Sequence, residues 1–439
     1  MRDILSQLID DFLERDLPVP IRRDRRAPEV PGRAVTVVGM RRVGKTWFCY
    51  QRMQDLLARG VPKQRLLYLN FEDDRLLEFQ SKDFQTILDV YFGRFPSHKD
   101  EDCHLFLDEA QRIEGWEMFV RRVLDTERMS VWITGSSSKL LSKEIASSLR
   151  GRSFPVELFP LSFSEFLRFQ RVQPPPPGGL GAKSRAVLRN MAGRYLEWGG
   201  FPEVQFSDDR ELRHQILRNH MDVVLLRDIV ERHSVSNVVA LRRLIAHVLS
   251  APATRFSVNK FYNHLRGQGV SCSKDTLHEY LDHLSDAYLL HQASIHSRSE
   301  KARQVNPKKI YISDSGLIDA MAYGRGEDRG AMLENTVYAH LRGRGLRPEY
   351  LVTGSGSEVD FLVPGPGEGD RQLVQVCWTL EDEATRRREV GALKEAMEDL
   401  RLGAGTIVTW EEEGRAEEGI QVVPAYRWLL DEHSGQSES

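Results

Sequence analysis

The sequence has little that would tie it to an oxidising compartment or to a membrane. Its 439 residues include four cysteines, Cys49, Cys103, Cys272 and Cys377, and these lack the paired spacing of a zinc site or of a disulfide framework. A reducing compartment therefore fits best. No apolar run approaches the length of a transmembrane helix, and the N-terminal stretch lacks the layout of a signal peptide. We therefore expect a cytoplasmic protein without a membrane partner.

The chain also lacks an excess of charge of one sign. It has 61 Lys and Arg against 64 Asp and Glu, a formal net charge of −3. This balance argues against a polycationic coat for nucleic acid but leaves local basic patches open. With 41% hydrophobic and 28% charged residues, the composition is typical of a globular protein. The length predicts roughly two to four domains, and we find no internal repeats.

Apolar runs alternate with helical patterns in the first part of the chain. After a helical stripe in residues 2–13, the runs lie at 34–38, 66–71, 104–109, 131–135 and 154–158. Strands that alternate with helices in this way predict an α/β fold, with a parallel sheet covered on both faces. We also expect one strand to be inserted between the first strand and the strand at 104–109.

The composition changes twice further along the chain. The Pro- and Gly-rich stretch 173–184 predicts a loop or linker. After a helical region, residues 257–293 predict a helix, a turn at 267–269, a second helix from about 273 and a strand, the layout of a winged helix-turn-helix. After Pro307 the pattern predicts a second α/β unit. The predicted domains are therefore 1–170, 171–235, 236–306 and 307–439.

Residues Gly39 to Thr46 match the P-loop motif G-x-x-x-x-G-K-T, also called Walker A. The motif follows a buried strand and precedes a helical pattern, so that backbone N–H groups and the helix N-terminus face phosphate oxygens. We expect Lys45 to reach the β- and γ-phosphates and Thr46 to bind Mg²⁺. The predicted nucleotide-binding residues are Gly39, Arg42, Val43, Gly44, Lys45, Thr46 and Trp47. The alternative is a chance glycine-rich turn.

The apolar strand 104–107 ends in Asp108 and Glu109, the pattern of a Walker B motif. We expect Asp108 to hold Mg²⁺ and Glu109 to polarise the attacking water as a general base. Ser136, after the next strand, is the predicted polar sensor of the γ-phosphate, and the alternative is a helix cap. Arg150 and Arg152 are candidates to stabilise transition-state charge in a neighbouring subunit, or else an exposed basic turn.

These motifs resemble those of a large family of bacterial and archaeal AAA-type ATPases. The resemblance rests on the segments GMRRVGKT, YLNFEDDRL, LFLDEAQRIEGWE, ITGSSS, LRGR, PLSFSEFL, GGFPEV, RDIVERH, ISDSGL, LENTVYAHL and EVDFLV. It implies an ATPase core, a winged helix and a C-terminal domain of unknown function similar to the restriction-endonuclease, or PD-(D/E)xK, fold. It also implies ATP rather than GTP as the nucleotide.

A nuclease of that fold places an acid on a helix, an Asp on one strand and E-x-K on the next, with Mg²⁺ held by the acids. Glu334, Glu358 and Asp360 fit the first two positions. Gln375 stands where the second-strand acid would be, and Cys377 stands where the lysine would be. We therefore interpret these residues as a degenerate nuclease site kept for binding or assembly. The alternatives are residual cleavage and ordinary surface carboxylates.

The predicted winged helix offers few cations for DNA. The nearby positive or titratable groups are Lys260, His264, Arg266, Lys274 and His278, and they are opposed by Asp275, Glu279, Asp282 and Asp286. Because phosphate neutralisation supplies most of the affinity for DNA, an ATPase lid or a protein contact remains as an alternative. The basic stretch Arg22, Arg23, Arg25 and Arg26 is either a further DNA contact or a solvated turn.

Three functions stay open at this point. The first is a Mg²⁺-dependent ATPase switch, cycling between ATP and ADP, that acts on DNA or is regulated by it. The second is an assembly or signalling ATPase that recruits a protein partner through its C-terminal domain. The third is an ATP-regulated nuclease. A homo-oligomer follows only if an arginine acts across a subunit interface.

Overall fold

A computed structural model describes residues 1–28, 30–135, 149, 151–173, 181–321, 328–365 and 370–430. The chain divides into two compact units, Met1–Leu158 and Phe159–Ser439. Among the described helices, none combines the length and the apolar character that crossing a membrane requires.

The N-terminal unit contains a parallel sheet of five strands. They are β1 (Ala34–Val38), β2 (Leu66–Asn70), β3 (Cys103–Asp108), β4 (Met129–Gly135) and β5 (Ser153–Glu157), in the order β2-β3-β4-β1-β5. The α-helices in the described part of this unit are α1 (Arg2–Glu14), α2 (Lys45–Ala58), α3 (Phe84–Arg94) and α4 (Trp116–Thr126). Every residue of β1 is buried, as a parallel strand covered on both faces requires. The predicted parallel α/β fold of this unit is confirmed.

Strand β4 lies between β1 and β3 and pairs in parallel with both of them. The expected inserted strand is therefore present. Because parallel strands end at the same edge of a sheet, this order brings the ends of β1, β3 and β4 together. Those ends carry the start of the P-loop, Asp108 and Thr134.

The second unit begins with helices. They are α5 (Phe163–Phe169), α6 (Ala182–Trp198) and α7 (Arg210–Val223), and α7 continues into a π-helical segment at Val224–Glu231. Phe163 and Phe166 of α5 are buried in one apolar cluster with Tyr195 and Trp198 of α6. The predicted four-domain division stays a prediction, but its boundary at 170 would separate α5 from this cluster.

Three helices and a three-stranded antiparallel sheet follow. The helices are α8 (Val238–Ser250), α9 (Val258–Gly267) and α10 (Lys274–Asp286), and the strands are β6 (Thr254–Phe256), β7 (Leu290–Ala293) and β8 (Lys308–Ile312). The sheet order is β6-β8-β7. Strand β8 pairs with both neighbours, so this sheet extends past the predicted boundary at 306. A short helix, α11 (Glu300–Val305), lies between β7 and β8.

A six-stranded mixed sheet forms the last part of the chain. Its strands are β9 (Glu349–Val352), β10 (Glu358–Pro364), β11 (Arg371–Val376), β12 (Gly405–Thr409), β13 (Gly414–Glu417) and β14 (Ile420–Pro424), in the order β13-β14-β12-β11-β10-β9. The remaining helices are α12 (Ser315–Met321), α13 (Arg329–Gly343), α14 (Glu383–Leu400) and α15 (Ala425–Trp428). Side chains of α13 and α14 are buried in two separate apolar clusters of this sheet. The predicted second α/β arrangement is therefore present.

Two of the segments quoted above meet at a tight backbone contact. The Asp314 carboxylate accepts hydrogen bonds from the N–H of Gly200 at 2.6 Å and of Gly316 at 3.0 Å. A Cβ at Gly200 would lie 2.4 Å from the carbonyl oxygen of Leu161. The glycines of GGFPEV and the aspartate of ISDSGL therefore join α6 to α12.

Candidate functional site

The P-loop has the backbone conformation that its glycines predict. Gly39 and Gly44 have φ angles of 150° and 96°, and α2 begins at Lys45 directly after the loop. A Cβ at Gly39 would lie 2.1 Å from the carbonyl oxygen of Leu158. Only glycine fits this close approach, so the loop can bring its N–H groups toward an anion at the N-terminus of α2.

Lys45 and Thr46 lie at the positions where nucleotide phosphates and a cation are bound in P-loops. The Lys45 ammonium is buried and donates to the carbonyl oxygens of Gly39 at 3.1 Å and Met40 at 3.0 Å. The Thr46 hydroxyl donates to Asp108 Oδ2 at 2.8 Å. The predicted pair of P-loop hydroxyl and strand-end carboxylate is therefore in direct contact.

Asp108 is held by two further side chains that the sequence did not identify as site residues. The Tyr68 hydroxyl donates to Asp108 Oδ2 at 2.9 Å, and the Thr134 hydroxyl donates to Asp108 Oδ1. Thr134 lies at the end of β4, next to the predicted sensor. Ser136 itself lies outside the described residues. The signal for Thr134 was a hydroxyl at the end of the inserted strand, whereas nothing in the sequence indicated Tyr68.

Glu109 has the environment of a proton acceptor. It adopts a left-handed backbone with φ of 55°, a conformation that is uncommon for a non-glycine residue and often marks functional sites. Its N–H donates to Thr134 Oγ1 at 3.2 Å, and Gln111 donates to its carboxylate at 2.6 Å. Burial raises the pKa of Glu109, while the Lys45 ammonium lowers it in part. A carboxylate with a raised pKa is the stronger base.

The residues present fit a magnesium ion. Thr46 and Asp108 offer a hydroxyl and a carboxylate oxygen on one side of the P-loop, and hard oxygens are the ligands that Mg²⁺ takes. In nucleotide sites Mg²⁺ uses one or two such protein oxygens and completes its shell with phosphates and water.

The N-terminal basic stretch holds the P-loop. Arg23 is buried, and its guanidinium donates to the carbonyl oxygen of Val43 at 2.7 Å. Its backbone exchanges hydrogen bonds of 2.7 and 3.1 Å with the Gln51 side chain on α2. Arg22 pairs with Asp55 at 2.7 Å. The interpretation of this stretch as a solvated turn or as a DNA contact is therefore wrong for Arg23.

The remaining predicted nucleotide-site residues differ in exposure. Arg42 is exposed and has a φ of 65°, whereas Val43 is buried. Trp47 is 51% exposed and makes an edge contact with Tyr50 at 6.0 Å between ring centroids. Arg152 pairs with Asp125 on α4, and Arg150 lies outside the described residues. A role of either arginine across a subunit interface stays a prediction.

The second unit brings the three predicted acids together. Glu334 on α13 and Glu358 and Asp360 on β10 all contact the ammonium of Lys309 on β8. The Asp360 side chain is 8% exposed and that of Glu334 is 12% exposed, so the alternative of ordinary surface carboxylates is wrong for these two. Cys377, at the expected lysine position, is buried. Lys309 supplies a positive charge from another strand, and no sequence pattern predicted this.

A cavity of about 280 Å³ lies beside the three-stranded sheet. Its lining includes Arg255 on β6, Lys260 and His264 on α9 and His247 on α8, together with the aromatic rings of Phe256 and Phe261. Of the other predicted DNA-contacting groups, Arg266, Lys274 and His278 are exposed. These positive and titratable groups are therefore spread over three helices and a strand.

Comparison with known proteins places the first unit in a broad class. Residues 31–167 match the model of an AAA domain, and residues 190–328 match a domain of unknown function, DUF8612. Together with the P-loop and the Asp108–Glu109 strand end, the match identifies an AAA domain with a P-loop in this part of the chain.

The chain is 33% identical over 422 residues to uncharacterized protein MJ1544 of Methanocaldococcus jannaschii, covering 93% of this chain and 91% of that protein. It belongs to the same family as MJ1544. An uncharacterized protein of Haemophilus influenzae is 29% identical over 397 residues, which is 90% of this chain and 93% of that protein. Among solved structures, the Walker-type ATPase PABY2304 of Pyrococcus abyssi is 14% identical, covers 73% of this chain and 95% of its own, and has a TM-score of 0.40. At that TM-score the likeness does not establish a shared fold.

Proposed function

We propose that this protein hydrolyses ATP with Mg²⁺ and uses the cycle between ATP and ADP as a conformational switch that acts on DNA or is regulated by it. The observation that carries the ATPase part is the convergence of Lys45, Thr46, Asp108 and Glu109 at one edge of the N-terminal sheet. These side chains match the parts that phosphoryl transfer to water needs.

Each side chain has a distinct task in this proposal. On nucleotide binding, the Lys45 ammonium leaves the loop carbonyls for the phosphates, where it balances negative charge. Thr46 and Asp108 would hold the magnesium ion, which would neutralise charge on the phosphates. Glu109 accepts a proton from the attacking water, and its contact with Gln111 orients the carboxylate. Thr134 joins the backbone of Glu109 to the carboxylate of Asp108.

The link to DNA rests on the second unit. The arrangement of α8, β6, α9, α10, β7 and β8 supports the predicted winged helix, with the segment between β7 and β8 as the wing. Arg298 and Lys301 of that segment are exposed. The cavity beside the three-stranded sheet is lined by Arg255, Lys260, His247 and His264. Cations can neutralise the phosphates of DNA, and aromatic rings can stack against its bases.

One observation favours the assembly switch as a second candidate. The helix that would enter the DNA groove, α10, exposes Asp275, Glu279 and Asp282 beside Lys274 and His278. Carboxylates on that face oppose phosphate. A protein partner with its own cations would fit such a surface, and turnover would then ignore DNA. Contact of a protein partner with the C-terminal domain and formation of a homo-oligomer remain further parts of this candidate.

The test is steady-state phosphate release from ATP and Mg²⁺ for wild type and Glu109→Gln, measured alone and with duplex or single-stranded DNA. Loss of a general base costs about 10²- to 10⁴-fold in turnover, so Glu109→Gln should bind ATP but lose activity to that extent. Retained turnover in this variant would show that Glu109 is not the base.

The part of the proposal that concerns DNA is tested by charge reversal of exposed lysines. Lys301→Glu and Lys274→Glu should reduce any stimulation by DNA while leaving turnover without DNA unchanged. Lys183→Glu is the matched control, since Lys183 is also exposed but lies on α6, outside the proposed winged helix. If DNA does not change the wild-type rate, the DNA part of the proposal fails and the assembly switch becomes the leading candidate.

A further inference from the structure

The three acids of the C-terminal domain surround one ammonium group. Lys309 Nζ lies 2.6 Å from Glu334 Oε1, 2.6 Å from Glu358 Oε1 and 2.9 Å from Asp360 Oδ1. The Lys309 side chain is 4% exposed. Three carboxylate oxygens therefore face a buried cation that belongs to the chain itself.

The cation comes from a different part of the unit than the acids. Lys309 lies on β8 of the three-stranded sheet, directly across from Arg255 on β6. Arg255 pairs with the second oxygen of Glu358. Two neighbouring cations of the three-stranded sheet thus face three carboxyl groups on α13 and β10. Burial and the nearby Asp360 raise the pKa of one of them, Glu334, to about 8.

The other polar groups around the cluster are also engaged. The Tyr311 hydroxyl donates to Glu334 Oε1 at 2.7 Å, and the N–H of Val376 donates to Asp360 Oδ2 at 2.9 Å. Gln375 directs its amide oxygen to the N–H of Asp360 at 3.1 Å and its amide nitrogen to Glu389 at 2.6 Å. Gln375, the predicted replacement for the missing nuclease acid, therefore gives its oxygen to the backbone and not to a cation.

We propose that the Lys309 ammonium is the resident cation of this cluster and fills the place where a nuclease-like site would hold a divalent metal ion. Mg²⁺ and Ca²⁺ need their oxygen ligands at about 2.0–2.6 Å, and an ammonium already within hydrogen-bond distance of all three carboxylates occupies that space. Within the described residues, no group of three or more His, Cys, Asp or Glu side chains is arranged to hold a metal ion. The acid cluster joins the three-stranded sheet to the C-terminal sheet by charge.

The electrostatics agree with this assignment. Burial opposes the charge on Lys309, but Asp360, Glu334 and Glu358 together raise its pKa above the ordinary value. The lysine therefore stays protonated at neutral pH, since removing its proton would leave three carboxylates close together with Arg255 alone to balance them. This inference does not depend on ATP turnover or on DNA.

The test is Mn²⁺ binding to the nucleotide-free full-length protein, followed by electron paramagnetic resonance and by the shift in melting temperature. Lys309→Met removes the charge and keeps an unbranched side chain of similar length. Lys308→Met is the matched control, because Lys308 is the preceding residue and donates to Ser294 and to the carbonyl of Arg303 instead. Lys309→Met/Asp360→Asn assigns any new site to the cluster, and binding near the P-loop is common to all variants.

We expect Lys309→Met to gain one Mn²⁺ per chain, at least about tenfold tighter than wild type because an unbalanced carboxylate cluster attracts a divalent ion. The double variant should lose this ion, and Lys308→Met should behave as wild type. A folded Lys309→Met protein that gains no Mn²⁺ would overturn the proposal.

If Lys309→Met does not fold, a second comparison tests whether the cluster binds a metal ion. Glu358 is the most exposed of the three acids at 29%, so Glu358→Gln is the mildest change to the cluster. Equal Mn²⁺ binding by wild type and Glu358→Gln supports the proposal. Binding by wild type that Glu358→Gln removes would show that the cluster takes a metal despite Lys309, and would overturn it.

Discussion

Replacing Arg23 tests whether the N-terminal segment shapes the nucleotide site. The Arg23 guanidinium donates to the carbonyl oxygen of Val43 within the P-loop at 2.7 Å, and the contact is buried. A hydrogen bond to a charged group contributes about 1.5–3 kcal/mol. If that energy serves to hold the loop in its binding conformation, Arg23→Met should weaken ATP binding by about 10- to 150-fold.

The neighbouring arginine provides the control. Arg22 is 65% exposed and pairs with Asp55 on the surface, and exposed ion pairs contribute only about 0–1 kcal/mol. Arg22→Met should therefore bind ATP within about fivefold of wild type. Both variants lose one positive charge at nearly the same place, so a difference between them reflects the contact with Val43 and not the overall charge.

The assay is a fluorescence titration with a labelled ATP analogue, together with thermal unfolding to confirm that the variants are folded. The backbone hydrogen bonds between residue 23 and Gln51 do not involve the replaced side chain and should remain. If Arg23→Met binds ATP as well as Arg22→Met does, the guanidinium does not hold the P-loop and the reasoning is refuted.

Two further predictions concern the contact between α6 and α12. Gly200→Ala should lower the melting temperature of the second unit, because the new Cβ would lie 2.4 Å from the carbonyl oxygen of Leu161. Gly391→Ala should instead raise the free energy of unfolding slightly, by up to about 1 kcal/mol, because the position on α14 is open. An equal loss of stability in both variants would contradict this account. Burial raises the pKa of Asp314 to about 7 from an ordinary value of 3.8, so the folded state binds the proton of Asp314 more tightly than the unfolded state does. The free energy of unfolding should therefore fall as the pH rises between these two values, by up to about 1.4 kcal/mol per pH unit. Asp314→Asn should flatten this part of the melting temperature–pH profile, and an unchanged slope would show that Asp314 does not titrate there.

The nucleotide site could be predicted because its parts are local. The loop from Gly39 to Thr46 needs glycines at two backbone positions and a helix directly after it, and both requirements are visible in adjacent residues. Asp108 and Glu109 end an apolar run, so their place at the edge of the sheet follows from the strand itself. The parallel direction of the strands was also predictable, because helices alternate with them along the chain.

The partners of these residues depend on the tertiary structure. Tyr68 reaches Asp108 only because β2 pairs with β3 in a register that sets Asn70 beside Asp108. Thr134 reaches the same carboxylate because β4 lies between β1 and β3. Neither the register nor the sheet order can be read from one strand alone.

The acid cluster also shows the difference between what the sequence predicts and what the tertiary structure determines. The spacing of Glu358 and Asp360 on one strand was enough to predict that they share a face, and the departures at Gln375 and Cys377 were visible in the sequence. The residue that lies among the acids is Lys309, and the packing of the three-stranded sheet determines this. It brings Lys309 to Glu358 and Asp360, which are about 50 residues away in sequence. A buried charge needs a partner, and the fold determines which oppositely charged group lies close enough to pair with it. Only the tertiary structure therefore identifies that partner.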